Sequence, residues 1–291
     1  MLTSEIQIRD PFIFKHDNLY YMFGSTDKDI WKAPGVGFNV HKSSDLLNWE
    51  PPVTAFLPPA GFWGTHNFWA PEVYEYQGGF YMFATFTRAE NRLRGTAILK
   101  AYHPQGPYTP HSNGPVTPND WDCLDGTLFV DDENAPWIIF CHEWKQIGDG
   151  TISAARLSDD LIKTITDPTV LFSSSSASWS IEIPSKSNDV VGYVTDGPFL
   201  YRLKSGKLLL LWSCIGDGGY CSGYAISDSG NILGPWKQSP EPLFGKDGGH
   251  GMIFRAYDGR LLLTVHTPNK TPNERAMFVE LEETDDGLRV K

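Results

Sequence analysis

One hairpin-bearing unit occurs five times in this 291-residue chain, and that repetition limits the fold more than any other feature. The copies are DPFIFKHDNLYYMFGST from Asp10, APEVYEYQGGFYMFATF from Ala70, DGTLFVDDENAPWIIFCHEW from Asp125, DGPFLYRLKSGKLLLLWS from Asp196 and HGMIFRAYDGRLLLTVHTP from His250. Each has a short polar or Pro/Gly opening, a strand-like run, a tight turn, and a second run ending in an aromatic or small residue. Behind each hairpin the pattern continues as a third strand, a turn and a fourth strand. The later turns read KSSDLLNWEP (42–51), YHPQGPYTP (102–110), RLSDDLIKTIT (156–166) and ISDSGNILGPWKQ (226–238), and RAMFVELEETDDGLRV (275–290) ends the fifth unit. Asp, Ser, Gly and Pro are the residues that make such turns. Repeated hairpins of this length predict an all-β, five-bladed β-propeller with four antiparallel strands per blade, filling 1–291 as a single domain. Equivalent blade positions converge near the axis of a propeller. Asp10, Asp125 and Asp196, which open three of the five copies, are therefore expected to face one another.

Composition agrees and narrows the partners. Ten tryptophans, 28 glycines and 21 prolines suit many short strands joined by turns. The net charge of −11 comes with no basic run, which argues against nucleic acid and anionic membrane as partners. Four cysteines, at 123, 141, 214 and 221, make no CxxC pair and read as neither a disulfide framework nor a zinc site. Cys141 and Cys214 fall in apolar strand runs and are expected as small buried hydrophobes. The longest apolar run, Leu208–Trp212, is too short to cross a bilayer. The start, MLTSEIQIRDP, has no basic segment followed by an apolar stretch. The expected location is therefore cytoplasmic for the chain as it stands, and secreted or periplasmic if a leader preceded it.

The three aspartates have a specific chemical use. Glycosidic cleavage needs one carboxyl group to protonate the leaving oxygen and another to activate water or attack. The acid must keep its proton near neutral pH, which burial or a like-charged neighbour can secure. A third carboxylate supplies such a neighbour.

IRDPFIF (8–14), FWAPEVY (68–74), LDGTLFVDD (124–132), VTDGPFLYR (194–202) and GHGMIFR (249–255) resemble glycoside hydrolase family 43 along the whole chain. The resemblance implies a five-bladed propeller acting on α-L-arabinofuranosyl or β-D-xylosyl linkages of plant oligo- and polysaccharides, with inversion at the anomeric carbon. It implies Asp10 as the general base, Asp125 as the residue that orients the acid and raises its pKa, and Asp196 as the general acid. The family usually has Glu-Gly-Pro where this chain has Asp-Gly-Pro, a side chain shorter by about 1.5 Å. Two alternatives follow: Glu182 as a substitute acid, or a propeller that binds sugar with weak or no catalysis. His250 matches an axial histidine that sits beside a cation, often calcium, reached through water. No organic cofactor is implied.

Further site candidates are Trp69 and Glu72 of WAPEV and the aromatic residues Trp31, Trp63, Trp144 and Trp179. His66, His142, Arg9 and Arg255 complete them. Indole rings stack on sugar faces, and the polar groups hold hydroxyls or pair with carboxylates. Two long connections, 27–38 and 173–190, are expected to shape the mouth. A protein-interaction propeller of the tryptophan–aspartate type fits poorly: its units are about 40–45 residues, and the only such pair here, Trp121-Asp122, lies at no blade end. A neighbouring five-bladed family that cleaves fructosyl sugars carries Asn before the first Asp-Pro, where this chain has Arg9.

Overall fold

The computed structural model describes residues 1–186 and 189–291. Five four-stranded antiparallel sheets follow one another along the chain as the blades of a propeller, with a two-stranded ribbon, Ile183–Pro184 with Val191–Gly192, between blades 3 and 4. The innermost strands are Arg9–His16, Gly64–Tyr76, Cys123–Val130, Asp196–Arg202 and Gly249–Arg255. Each pairs with a second strand that is buried almost throughout: Leu19–Ser25, Gly79–Arg88, Pro136–His142, Leu208–Gly216 and Leu261–Thr267. The near-continuous apolar runs in these second strands follow from that position, since a blade covers each of its neighbour's faces. Among the described residues helix is confined to two short 3-10 turns and one helix, Trp144–Ile147. None is long and apolar enough to cross a membrane.

The blades pack through aromatic side chains. Between blades 1 and 2, Phe38, Phe56, Phe62, Phe68 and Phe86 stack at tilted or edge-on angles, down to 4.8 Å between the Phe68 and Phe86 centroids. Ring closure uses no exchanged strand, because the fifth blade takes all four of its strands from the C-terminal part of the chain. Instead the N-terminal segment bridges the two ends. The Met1 amino group donates to Trp49 O at 2.8 Å in blade 1, while Arg275 Nε donates to Ser4 O at 2.9 Å in blade 5. Arg9 Nη1 then meets the fully buried Glu274 Oε1 at 2.8 Å across the seam.

The site is prepared by a single irregularity that recurs in every blade. Pairing of the first two strands slips near the top of every blade, and in blade 2 two further slips, at Gly64/His66 and His66/Trp69, precede it. The register runs Arg9↔Ser25 then Phe12↔Phe23, Trp69↔Thr85 then Glu72↔Phe83, and Leu124↔Cys141 then Thr127↔Ile139. Asp196↔Ser213 then Phe199↔Leu211, and Gly249↔His266 then Met252↔Thr264, complete the set. The first residue inside each bulge has a left-handed backbone: Asp10 (φ 53°), Ala70 (46°), Asp125 (57°), Gly197 (51°) and His250 (47°). Four of these carry a Cβ and meet a conformational cost of roughly 1–2 kcal/mol each, the kind of local strain that collects at functional sites. The bulges turn Asp10, Asp125 and His250 toward the axis. They also revise one expectation: Asp196 is not the repeat equivalent of Asp10 and Asp125. Gly197 holds that position, and Asp196 lies one residue earlier, where the other blades have Arg9, Trp69, Leu124 and Gly249.

Candidate active site

A cleft of about 380 Å³ opens over the axis at the end where the bulges lie. Asp10, Asp125, Asp196 and His250 line its floor, with Tyr220 beside them. The His250 ring stands between two of the carboxylates, its Nδ1 at 3.3 Å from Asp10 Oδ1 and 3.5 Å from Asp125 Oδ2. Burial alone would lower the imidazole pKa, but Asp10, Asp125 and Asp196 together outweigh it and raise the value above the ordinary range.

The three aspartates are displaced in different directions. Burial works against the charge of Asp10, yet His250, Arg9 and the Ser25 hydroxyl, which donates to Oδ2 at 2.6 Å, hold it below the usual carboxylate range. His266 sits at 3.5 Å from Asp10 Oδ1 and accepts the Asp10 backbone N–H on Nδ1 at 3.2 Å. Burial takes this imidazole down to about 3, so it stays neutral and keeps that acceptor free. Asp196 goes the other way: burial first and the charge of Asp125 second push it up to about 8. Tyr220 Oη donates to its Oδ2 at 3.1 Å. Asp125 is itself raised, by burial and by Asp10. Its Oδ2 accepts the Gly197 N–H at 3.0 Å, and its own N–H is fixed by Thr85 Oγ1 at 2.8 Å. At neutral pH the floor therefore holds an ionised Asp10 and a protonated Asp196. Carboxyl groups driven apart in pKa within one site are the arrangement for acid–base work.

The walls are aromatic and charged. Trp31, half exposed at 51%, donates from Nε1 to Thr271 Oγ1 at 3.1 Å, so the first long connection reaches across to blade 5. The Arg9 guanidinium lies 5.0 Å from the Trp31 ring, and Trp69 meets Trp31 edge-on at 5.3 Å. Trp69 is anchored by Nε1 donating to Ile30 O at 2.7 Å. The Arg94 guanidinium lies over the Trp69 ring at 5.5 Å. It pairs with Asp122 at 2.6 Å and with Glu143 at 3.2 Å. Trp144 and Lys145, from the one-turn helix after blade 3's second strand, complete the rim.

Asp10, Asp125, Asp196, Arg9, Trp31, Trp69, Trp144 and His250 thus share one cleft. The other candidates lie elsewhere. Glu72 is buried beside the axis, outside the cleft lining; Tyr74 Oη donates to its Oε2 at 2.6 Å and shares a 2.6 Å hydrogen bond with Thr127 Oγ1. Burial pushes Glu72 up to about 7. His66 stands behind the rim and bonds Arg92 at 3.1 Å, and only Arg92 lines the cleft. His142 stacks on Trp121 at 4.2 Å and bonds Gln146 Oε1 at 2.7 Å, outside the lining. Trp179 is buried between blades, 4.5 Å from Trp212, with Nε1 donating to Ser239 O at 3.0 Å. Trp63 packs on Phe62 and Phe86. Arg255 is at the far end of its strand, five residues beyond His250 or about 16 Å at strand rise, where it donates to Gly259 O. Glu182 is not among the lining residues, and residues 187 and 188 of the 173–190 connection lie outside the described residues. Among the described residues no three His, Cys, Asp or Glu side chains converge as a direct metal ligand set. A cation beside His250 would be held through water.

Sequence reasoning passed over Arg94, Asp122, Glu143 and Tyr220. The first three come from the outer half of blade 2, the entry to blade 3 and the exit of its second strand, where the hairpin repeat offers no marker. Tyr220 opens the third strand of blade 4, and its hydrogen bond to Asp196 depends on a pairing that the repeat does not encode.

The family model for Glycosyl hydrolases family 43 matches residues 3–288. The crystal structure of an endo-arabinase from Bacteroides thetaiotaomicron superposes with a TM-score of 0.90 at 43% identity, covering 98% of each chain. An extracellular exo-α-(1→5)-L-arabinofuranosidase of Streptomyces chartreusis is 26% identical over 89% of this chain and 79% of its own length. An extracellular endo-α-(1→5)-L-arabinanase of Bacillus subtilis is 25% identical over 50% of this chain, and the match spans 46% of that protein.

Proposed function

The chain belongs to glycosyl hydrolases family 43, and from that premise we propose that it is an inverting glycosidase of α-(1→5)-linked L-arabinofuranosyl chains. Asp10 takes a proton from water, which attacks the anomeric carbon. Asp196 gives its proton to the departing oxygen, and Asp125 keeps Asp196 protonated until then. The observation that carries this reading is the opposed displacement of two carboxyls facing one cleft, Asp10 downward and Asp196 up to about 8. The shorter acid is supported by its setting: Tyr220 fixes one oxygen of Asp196, leaving the other free to carry the proton. The substrate class rests on the three arabinan- and arabinofuranoside-cleaving relatives, and the word extracellular in two of their names supports action outside the cytoplasm.

A second reading, a sugar-binding propeller without turnover, is favoured by one observation, the Asp at 196. Hydrolysis of linear arabinan and of xylan, followed by NMR of the first anomer released, separates the two. The expected result is release from arabinan well above that from xylan, inverted product, and a loss on the order of a thousandfold or more in Asp10→Asn. Arabinan binding with no turnover at any pH would establish the second reading instead.

A further inference from the structure

The bulge that opens each blade leaves one inward backbone N–H to satisfy. In four blades the preceding blade supplies the acceptor from one repeat position. Ala70 donates to Ser25 Oγ (2.9 Å), Asp125 to Thr85 Oγ1 (2.8 Å), His250 to Ser213 Oγ (2.9 Å) and Asp10 to His266 Nδ1 (3.2 Å). Strand register identifies the fifth member of that set as Cys141, which pairs with Leu124 as Ser25 pairs with Arg9. A thiol is a weak acceptor, and the Gly197 N–H donates to Asp125 Oδ2 instead, at 3.0 Å.

Blade 1 shows what a hydroxyl does in this place. Ser25 accepts the Ala70 N–H and donates its own O–H to Asp10 Oδ2 at 2.6 Å, standing between amide and carboxylate. Between blades 3 and 4 the Cys141 thiol holds that position, and the carboxylate reaches the amide directly. We infer that Cys141 is a positioning residue for the acid: by offering no hydroxyl, it lets Asp125 bind the peptide N–H that immediately follows Asp196. This inference rests on the reading of Asp196 as acid and Asp125 as its modulator.

A hydroxyl at position 141 would repeat the blade 1 arrangement and set Asp125 back by the width of one oxygen, roughly 3 Å of added hydrogen-bond path. The repulsion that Asp125 exerts on ionised Asp196 would weaken. The other groups facing the pair, His250, Glu143, Asp10, Arg94, Tyr220, Glu72 and Cys214, are unaltered by a change at 141. The Cys141 thiol is held neutral by its burial.

The test is kcat/KM against pH on phenyl α-L-arabinofuranoside, whose departure needs the acid, for the natural chain, Cys141→Ser, Cys141→Ala and Asp125→Asn. Cys141→Ser is expected to move the alkaline limb to lower pH by about half a unit or more, while Cys141→Ala, which also lacks a hydroxyl, keeps it in place whatever its turnover. A crystal structure of Cys141→Ser should show the new Oγ within hydrogen-bond distance of the Gly197 nitrogen. Cys141→Thr brings the same hydroxyl and serves if the serine variant does not fold. A serine variant whose limb follows the alanine variant overturns the inference. If Asp125→Asn itself leaves the limb unmoved, the assignment of Asp125 has failed instead.

Discussion

At the scale of the residue, the site is a set of carboxyl groups sorted by their neighbours. Asp10 has the His250 imidazole, a guanidinium and a hydroxyl around it, and stays ionised; Asp196 has burial and a like charge, and stays protonated. Glu72 is sorted mainly by burial, which with the Asp125 charge outweighs His250 and the hydrogen bonds of Tyr74 and Thr127 and takes it up to about 7. Its folded pKa lies above the ordinary glutamate value, so the folded protein binds more protons than the unfolded chain between the two values. Stability is then full below about pH 4.5 and falls as pH rises toward 7. Glu72→Gln keeps an acceptor for Tyr74 and removes this dependence. Thermal melts of the variant should show a smaller drop between pH 5 and pH 8 than those of the natural chain. Equal drops would mean that Glu72 is not displaced by its burial. The position of Glu72 was half legible: WAPEV marks the inner strand of blade 2, but two residues past the bulge the chain has already passed from the mouth into the interior.

At the scale of the element, the bulge is the working unit, and it explains both the success and the error of reading by repeats. Five hairpins in order predict five blades, and the Asp openings of copies one and three do mark bulge residues. Copy four misleads because Asp-Gly-Pro and Asp-Pro look alike as strings. Only the pairing shows that the left-handed residue is Gly197, so that Asp196 approaches the cleft from one position earlier. Trp179 misleads for a related reason. A tryptophan in a long connection resembles a sugar platform, but here it is a wedge: a Cβ on Gly223 would lie 2.3 Å from its ring. Trp179→Ala should therefore cost about 3–5 kcal/mol in urea denaturation and leave KM for short arabino-oligosaccharides unchanged. A raised KM with unchanged stability would restore the platform role.

At the scale of the whole molecule, the propeller brings groups far apart in sequence to one floor: Asp10, Asp125, Asp196 and His250, one from each of four blades. The ring is held at its seam by the Arg9–Glu274 pair. Arg9 also faces Asp10 and Trp31, so closure of the ring and charge on the proposed base share a residue. Breaking a buried pair of this kind is strongly destabilising because it leaves one charge uncompensated. The overall fold was legible because it depends on strand count and turn spacing. The rim of Arg94, Asp122 and Glu143 was not, because it forms only when outer segments of two blades meet.

The division of labour between Asp10 and Asp196 is tested most directly by the leaving-group dependence of Asp196→Asn. The measurement is kcat/KM on aryl α-L-arabinofuranosides from dinitrophenyl to unactivated phenyl. A good leaving group departs without a proton, so the dinitrophenyl substrate should lose little, whereas the phenyl substrate should lose on the order of a hundredfold or more. The natural chain should lose activity on the phenyl substrate as pH rises past about 8, where Asp196 ionises. An equal loss on every substrate, with no change of slope, would contradict the assignment of Asp196 as the proton donor.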